Sequence, residues 1–250
     1  MSDDGVSNIS CGPDYCLAID CLGRVWVWGN PNWVELGEPS DQNMFASTST
    51  TSSSSSSDTS GAIPCMLGEF GLDTKAIRVS CGEEHLMVLD LQGNVWTCGD
   101  NSTSALGHED MDDDLDQPKM INTLNNIVSI SSGQTCCLAL EKGTGKVYFW
   151  GTLSDIDSVQ TPTLLKGDIN DHKIIEIDAG RQHCGCITSE HLLFTWGENS
   201  RGECGLGHYD KCIEVPTLVE EFEDEGDLVR KVSCGARHTC AVTSDDCLFE

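Results

Sequence analysis

A segment of about twenty residues recurs along this chain, opening on a glycine turn and usually closing on Trp-Gly. Residues 80–99 read SCGEEHLMVLDLQGNVWTCG, and residues 178–197 read DAGRQHCGCITSEHLLFTWG. Residues 10–29 read SCGPDYCLAIDCLGRVWVWG, and residues 131–151 read SSGQTCCLALEKGTGKVYFWG. A fifth copy, SCGARHTCAVTSDDCLFE, starts at Ser233. Aligned on their first glycines (Gly12, Gly82, Gly133, Gly180 and Gly235), the copies step by 70, 51, 47 and 55 residues. The unit keeps its length while the connections vary, as stacked units joined by surface loops do.

Within a unit the apolar runs are those of short strands. Leu86-Met87-Val88-Leu89 and Val25-Trp26-Val27-Trp28 are aliphatic or aromatic and are bounded by Gly, Asp or Asn. Between two such runs, Gly93 stands where a hairpin turn needs positive φ. Each unit therefore reads as a β-hairpin with a further strand before it. A Pro-Thr-Leu segment at 162–165 or 216–219 can supply a fourth strand. Four short antiparallel strands repeated radially make a β-propeller blade. One blade cannot bury both of its faces, so Trp26, Trp28, Trp96, Trp150 and Trp196 are placed to pack between neighbours.

The Gly-x-x-His opening, the hairpin, the Trp-Gly close and the segment Gly202-Glu203-Cys204-Gly205-Leu206-Gly207-His208 resemble the regulator of chromosome condensation repeat. Ala105-Leu106-Gly107-His108 is a second copy of that last segment, and Leu36-Gly37 a remnant. The resemblance implies an all-β, seven-bladed propeller. Seven blades at this period need roughly 350 residues, against 250 here. The expectation is a partial propeller over 1–250 of about four and a half blades of seven, with a C-terminal portion missing. Its repeats start near 6, 76, 127, 174 and 229.

Charge and cysteine usage narrow the functions open to such a fold. There are 14 basic against 41 acidic residues, a net charge of −27. That argues against direct binding to nucleic-acid phosphates or an anionic membrane and favours a basic protein surface. No apolar run reaches the roughly 18 residues of a membrane span, and no secretory leader is read at the start. Fifteen cysteines without Cys-x-x-Cys spacing make a poor metal or disulfide signature. Cys11, Cys81 and Cys234 share one repeat position, and Cys184 and Cys186 share a strand face. Reduced thiols in cytoplasm or nucleus are expected, with no metal and no cofactor.

Residues 46–60 are almost wholly Ser and Thr and read as a disordered loop open to phosphorylation. Residues 109–116 and 220–227 are acidic and read as loops. All three follow the closing glycine of a repeat, so they are expected on comparable edges of the propeller.

No nucleophile elbow, P-loop or paired-histidine metal motif occurs, so no catalytic chemistry of the chain's own is expected. The candidate contacts are the repeat's turns. His85, His183 and His238 share one position, where an imidazole can bond backbone in a neighbouring turn. The resemblance implies a second role for that position. In the family's exchange factor for the GTPase Ran, histidines and acidic residues at these turns contact the GTPase. By motif position the residues are His85, His183 and His238, with Asp14 and Glu84 as acidic neighbours. Tyr15 and Cys136 replace histidine in the first and third copies, and Gln182 and Arg237 replace acidic neighbours in the fourth and fifth. A wedge loop in that factor corresponds to the segment ending at Asp155, which is short here. His108 and His208, each followed two residues on by Asp, are expected to make local turn bonds.

Three functions compete. One is a protein-interaction propeller, docking partners on one face and its acidic loops. Another is guanine-nucleotide exchange on a Ran-like small GTPase. The third is the recruiting domain of a larger ubiquitin ligase or kinase.

Overall fold

The computed structural model describes residues 5–31, 64–67, 74–109, 114–154, 156–222 and 228–249. The Ser/Thr tract at 46–60 and Asp155 lie outside them. The chain forms five antiparallel sheets in sequence order. The first holds β1 (Val6–Cys11), β2 (Tyr15–Asp20), β3 (Val25–Gly29) and β4 (Cys65–Met66). The second holds β5 (Ala76–Cys81), β6 (His85–Asp90), β7 (Val95–Gly99) and β8 (Leu115–Met120). The third holds β9 (Ile127–Ser132), β10 (Cys136–Glu141), β11 (Val147–Leu153) and β12 (Ile156–Leu164). The fourth holds β13 (Ile174–Ala179), β14 (His183–Thr188), β15 (Leu193–Glu198) and β16 (Cys212–Leu218). The fifth has three strands, β17 (Val229–Cys234), β18 (Thr239–Thr243) and β19 (Leu248–Phe249). The structure is therefore a propeller of four full blades and one short one. The predicted fourth strands are present, and the Pro-Thr-Leu segments end β12 and β16.

The first strand of each blade packs on the first strand of the next, β1 on β5, β5 on β9, β9 on β13 and β13 on β17. These strands surround the propeller axis. Burial follows from that arrangement. In β6 and β14 every residue is buried, because a blade's second strand is covered on both faces by its neighbours. Four cores fill the four gaps between blades, the first around Leu17, Val27, Val79 and Leu86, the last around Ile187, Leu193, Val229 and Val232. Among the described residues no blade precedes β1, and it stays largely exposed, with Val6 and Ile9 open to solvent.

The tryptophans divide by the same rule. Trp150 and Trp196 are fully buried. Trp150 reaches back to the preceding blade and donates its indole N–H to the Ala105 carbonyl at 2.8 Å. Trp28, at the same repeat position in the first blade, is only half-buried. Trp26 and Trp96 hold a different position and bond within their own hairpin, to Asp20 and Asp90 at 3.0 Å each. Gly93 has φ +86°, the left-handed turn conformation expected of it.

Side chains also stitch the blades, through a position the motif reading passed over. In each blade the residue two before the first glycine is Ser10, Ser80, Ser131, Asp178 or Ser233. The residue after it donates its backbone N–H to that side chain in the preceding blade. Cys81 N–H bonds Ser10 Oγ at 3.0 Å and Ser132 N–H bonds Ser80 Oγ at 2.8 Å. Ala179 N–H bonds Ser131 Oγ at 3.0 Å and Cys234 N–H bonds Asp178 Oδ2 at 2.7 Å. The cause lies in the ladder. Cys81 is opposite Leu86, and the adjoining Gly12-type pair (Gly82 N–H to His85 carbonyl, 2.7 Å) takes the hydrogen bond. In an antiparallel pair the next position is then non-hydrogen-bonded, and its N–H points out of the sheet. A buried amide in that position needs an acceptor, and the preceding blade supplies it.

Candidate functional site

In a four-stranded meander, the turn after the first strand and the connection after the third lie at one end. The turn after the second strand and the exit to the next blade lie at the other. The five repeat turns therefore share one face. Gly12, Gly82, Gly133, Gly180 and Gly235 line one depression of about 390 Å³ at the mouth of the axis. Just outside them run Pro13, Glu83, Gln134, Arg181 and Ala236. Exposed side chains link three of these, with Gln134 Nε2 donating to Glu83 at 2.5 Å and Arg181 Nε donating to Gln134 at 2.8 Å. The backbone follows the same arc, Glu83 N–H to Gln134 carbonyl and Arg181 N–H to Gly235 carbonyl, both at 3.0 Å. Charge is segregated along the arc. Asp14, Glu83 and Glu84 stand in the first two blades, and Arg181 and Arg237 in the last two.

The histidine position lies inside this face. His85 is 2% exposed and His183 is 0% exposed, so neither imidazole reaches a partner. Each ring lies over the glycine three residues before it. A Cβ on Gly82 would come within 2.1 Å of the His85 ring, so only glycine fits there. His85 Nε2 sits 3.2 Å from Cys137 Sγ in the next blade, a thiol where the sequence suggested backbone. Burial pulls the His85 pKa down to about 4, against the opposing charge of Asp100. Burial also lowers that of His183, opposed by Glu203 and the backbone of His238. Neither ring nitrogen of His183 meets hydrogen-bond geometry, although that backbone approaches it. Tyr15, at this position in the first blade, spans the gap with its hydroxyl and donates to the Gly82 carbonyl at 3.3 Å. His238 is exposed because no strand follows the fifth blade among the described residues. Of the predicted contacts, Asp14 and His238 are exposed and Glu84 is half-buried.

The loops after Trp-Gly join the same face. Asn101 and Asn199 are buried organisers that sequence reading missed, although a Gly-x-Asn spacing marks both. Their Oδ1 atoms accept from Leu106 N–H at 3.3 Å and Cys204 N–H at 3.0 Å. Thr97 and Thr195 add hydroxyl bonds to the Leu106 and Cys204 carbonyls, both at 2.7 Å. His108 and His208 are not equivalent. His208 makes the expected local contact with Asp210 at 3.3 Å. His108 instead meets Thr97 Oγ1 at 3.1 Å, and burial lowers its pKa to about 4. Beside Asp155, Ser154 is fastened to the fourth blade, its N–H on Gln182 and its hydroxyl on Glu198, both at 2.6 Å.

Of residues 109–116, Glu109 follows β7 on the glycine-turn side, Leu115 and Asp116 already belong to β8, and 110–113 lie outside the described residues. Of residues 220–227, Glu220–Phe222 form a 3-10 turn after β16, at the other end of the blade, and 223–227 lie outside the described residues. The intervening fourth strand is what carries the chain across. Among the described residues, no group of three or more His, Cys, Asp or Glu side chains is arranged to hold a metal ion. No helix among them is long and apolar enough to cross a membrane.

Comparison with known proteins agrees with this geometry. Residues 92–140 and 190–242 match the regulator of chromosome condensation (RCC1) repeat, and residues 76–103 match a second form of it. Mouse E3 ubiquitin-protein ligase HERC2 is 27% identical over 247 residues, covering 94% of this chain and 5% of the ligase. The chain thus spans a small part of that relative. The human WBSCR16 structure superposes with a TM-score of 0.80 at 21% identity, covering 100% of this chain and 62% of that one. Prp20p of Saccharomyces cerevisiae gives 0.71 at 21% identity, covering 94% of this chain and 55% of its own. The chain is an RCC1-like β-propeller, with regulator of chromosome condensation repeats matched over residues 76–140 and 190–242.

Proposed function

We propose that this propeller is a protein-interaction module whose partner docks on the face carrying the five glycine turns. The observation that supports it is the exposed, hydrogen-bonded arc of Glu83, Gln134 and Arg181 around the axis, acidic at one end and basic at the other. Such segregated charge orients a partner of complementary polarity and speeds its encounter. The structure of Prp20p was reported with its binding to Gsp1p and histones. A basic protein on the acidic half, around Asp14, Glu83 and Glu84, is the corresponding reading here. Work in the cytoplasm or nucleus goes with it, in keeping with buried thiols such as Cys98, Cys137 and Cys186.

Core histones serve as the probe. Binding is measured by interferometry at about 50 and about 300 mM salt, where screening weakens exposed charge pairs. Glu83→Lys with Glu84→Lys is expected to weaken it about tenfold. Asp168→Lys with Asp171→Lys, on the opposite face, is expected to leave it unchanged. Equal loss from both pairs, or no salt dependence, overturns the reading.

Exchange on a Ran-like GTPase is the second reading, and the exposed turn residues Asp14 and His238 favour it. Release of fluorescent GDP from Ran tests it. An unaltered release rate removes exchange and leaves docking standing. Recruitment within a larger ligase is the third reading, supported by the match of 94% of this chain to part of HERC2.

A further inference from the structure

We propose that Cys11 and Cys16 form a reversible disulfide across the first hairpin, a modification site found in no other blade. The two residues face each other in the β1–β2 register, and their sulfurs lie 3.2 Å apart. A disulfide bond is about 2.05 Å long, so closure moves the sulfurs by about 1.1 Å. The backbone permits it. Gly12 N–H bonds the Tyr15 carbonyl at 2.8 Å, which makes the 11/16 pair the adjoining non-hydrogen-bonded one. Such pairs bring their Cα atoms to about 4.5 Å, within the range of about 4.4–6.8 Å that a disulfide bridges.

The same register position elsewhere cannot do this. It holds Cys81 with Leu86, Ser132 with Cys137, Ala179 with Cys184, and Cys234 with Thr239. A second close sulfur pair, Cys136 and Cys184, is 3.9 Å apart and sealed between blades. Cys11 is exposed at the mouth of the axis and Cys16 is partly exposed, so a small oxidant reaches both.

The chemistry needs a low-molecular-weight disulfide, for which oxidised glutathione is the probe. Cys11, the more exposed thiol, loses its proton and attacks one glutathione sulfur. A mixed disulfide forms and one glutathione thiolate leaves. Cys16 loses its proton and attacks the Cys11 sulfur, forming the protein disulfide and expelling the second glutathione thiolate. The two cysteines are oxidised by two electrons and one glutathione disulfide is reduced to two thiols. Partial burial and the neighbouring thiol push the Cys16 thiol up, in keeping with its role as the resolving group. The product clamps the strands flanking Pro13 and Asp14, at the acidic end of the arc.

The test uses the full chain, reduced, desalted and treated with oxidised glutathione. Intact mass is expected to fall by about 2 Da, the two thiol hydrogens, with no retained glutathione. Free thiols are then blocked with a light alkylating reagent, the disulfide is reduced, and a heavy reagent is added. Fragmentation is expected to place the heavy label on Cys11 and Cys16 and the light label on Cys21, which shares their tryptic peptide. Cys11→Ser is expected to lose the 2 Da decrease and leave Cys16 either free or glutathionylated. A wild-type chain that keeps its glutathione adduct, stays unoxidised, or carries the heavy label on Cys21 or Cys247 overturns the proposal.

Discussion

Replacing the blade-linking acceptors with alanine, one at a time, should cost stability four times and not the fifth. Ser10, Ser80, Ser131 and Asp178 each accept a backbone N–H from the next blade at 2.7–3.0 Å. Each alanine leaves a partly buried amide without a partner, and the penalty for such a group is about 1–3 kcal/mol. The serines sit at the lower end, near 1 kcal/mol, because their hydroxyl is a neutral acceptor. Asp178 is worth about 2 kcal/mol, since a charged acceptor makes the stronger bond. It also receives the Ser131 hydroxyl at 3.1 Å. Against that stands its own burial, which raises its pKa despite those bonds. Asp178→Asn should therefore recover most of the loss, because an amide oxygen still accepts from Cys234 and the buried charge is gone. Ser233 has no following blade among the described residues, so Ser233→Ala should change stability by less than about 0.3 kcal/mol. The assay is urea unfolding of the full chain followed by tryptophan fluorescence. At roughly 2 kcal/mol per molar urea, each serine variant lowers the midpoint by about 0.5 M. Hydrogen exchange at the amides of Cys81, Ser132, Ala179 and Cys234 should accelerate in the matching variant alone. If Ser233→Ala costs as much as Ser80→Ala, the bonds are bystanders and the reasoning fails.

Acid should destabilise the propeller before carboxylates titrate. An unfolded histidine takes up a proton near 6.5, while folded His85 and His108 stay neutral to about 4. Their contribution is thus intact above pH 6.5 and is lost on acidification between 6.5 and 4. His85 alone accounts for about 3 kcal/mol of that loss, and the urea midpoint of His85→Gln should depend less steeply on pH across this window. Gly82→Ala should destabilise by about 2–3 kcal/mol by driving a Cβ into the His85 ring, and His85→Ala in the same chain should relieve much of it. A fully additive pair, measured by the same midpoints, would show that the ring is not what excludes the side chain. Trp150→Phe should cost about 1–2 kcal/mol by leaving the Ala105 carbonyl only the weaker Cys137 thiol as donor, with cavity effects kept small by the retained ring.

The blades were legible because hairpin glycines and apolar runs obey local rules that need no neighbour. Burial was less legible, because it depends on what stands beside a residue. Trp28 and Trp150 carry the same local signal, yet of the two only Trp150 has a preceding blade to enter among the described residues. His85 and His183 were open to two readings, a ring bonded to neighbouring backbone or a partner contact, because Gly-x-x-His says nothing of where the ring lies. The vacant space over the glycine draws it inward. The Ser-Cys-Gly opening was visible three times, and its serine position could have revealed the inter-blade acceptor. Asp178, chemically unlike serine but an equally good acceptor, hid the pattern in the fourth copy. The face from which a loop leaves depends on the count of strands before it, and an acidic run itself carries no such information.

The blade-linking bonds also give the assembly a direction and a mechanical order. Their partners are 71, 52, 48 and 56 residues apart, so each bond closes one repeat whatever the length of the intervening connection. Connections can lengthen without the joint sensing it, which leaves loops free to diverge while blades stay in step. Tension on the chain ends meets the terminal joint first and reaches the next only after it parts. A propeller fastened this way yields under force as a sequence of single-repeat ruptures, each releasing one loop's worth of slack, rather than by one collective failure.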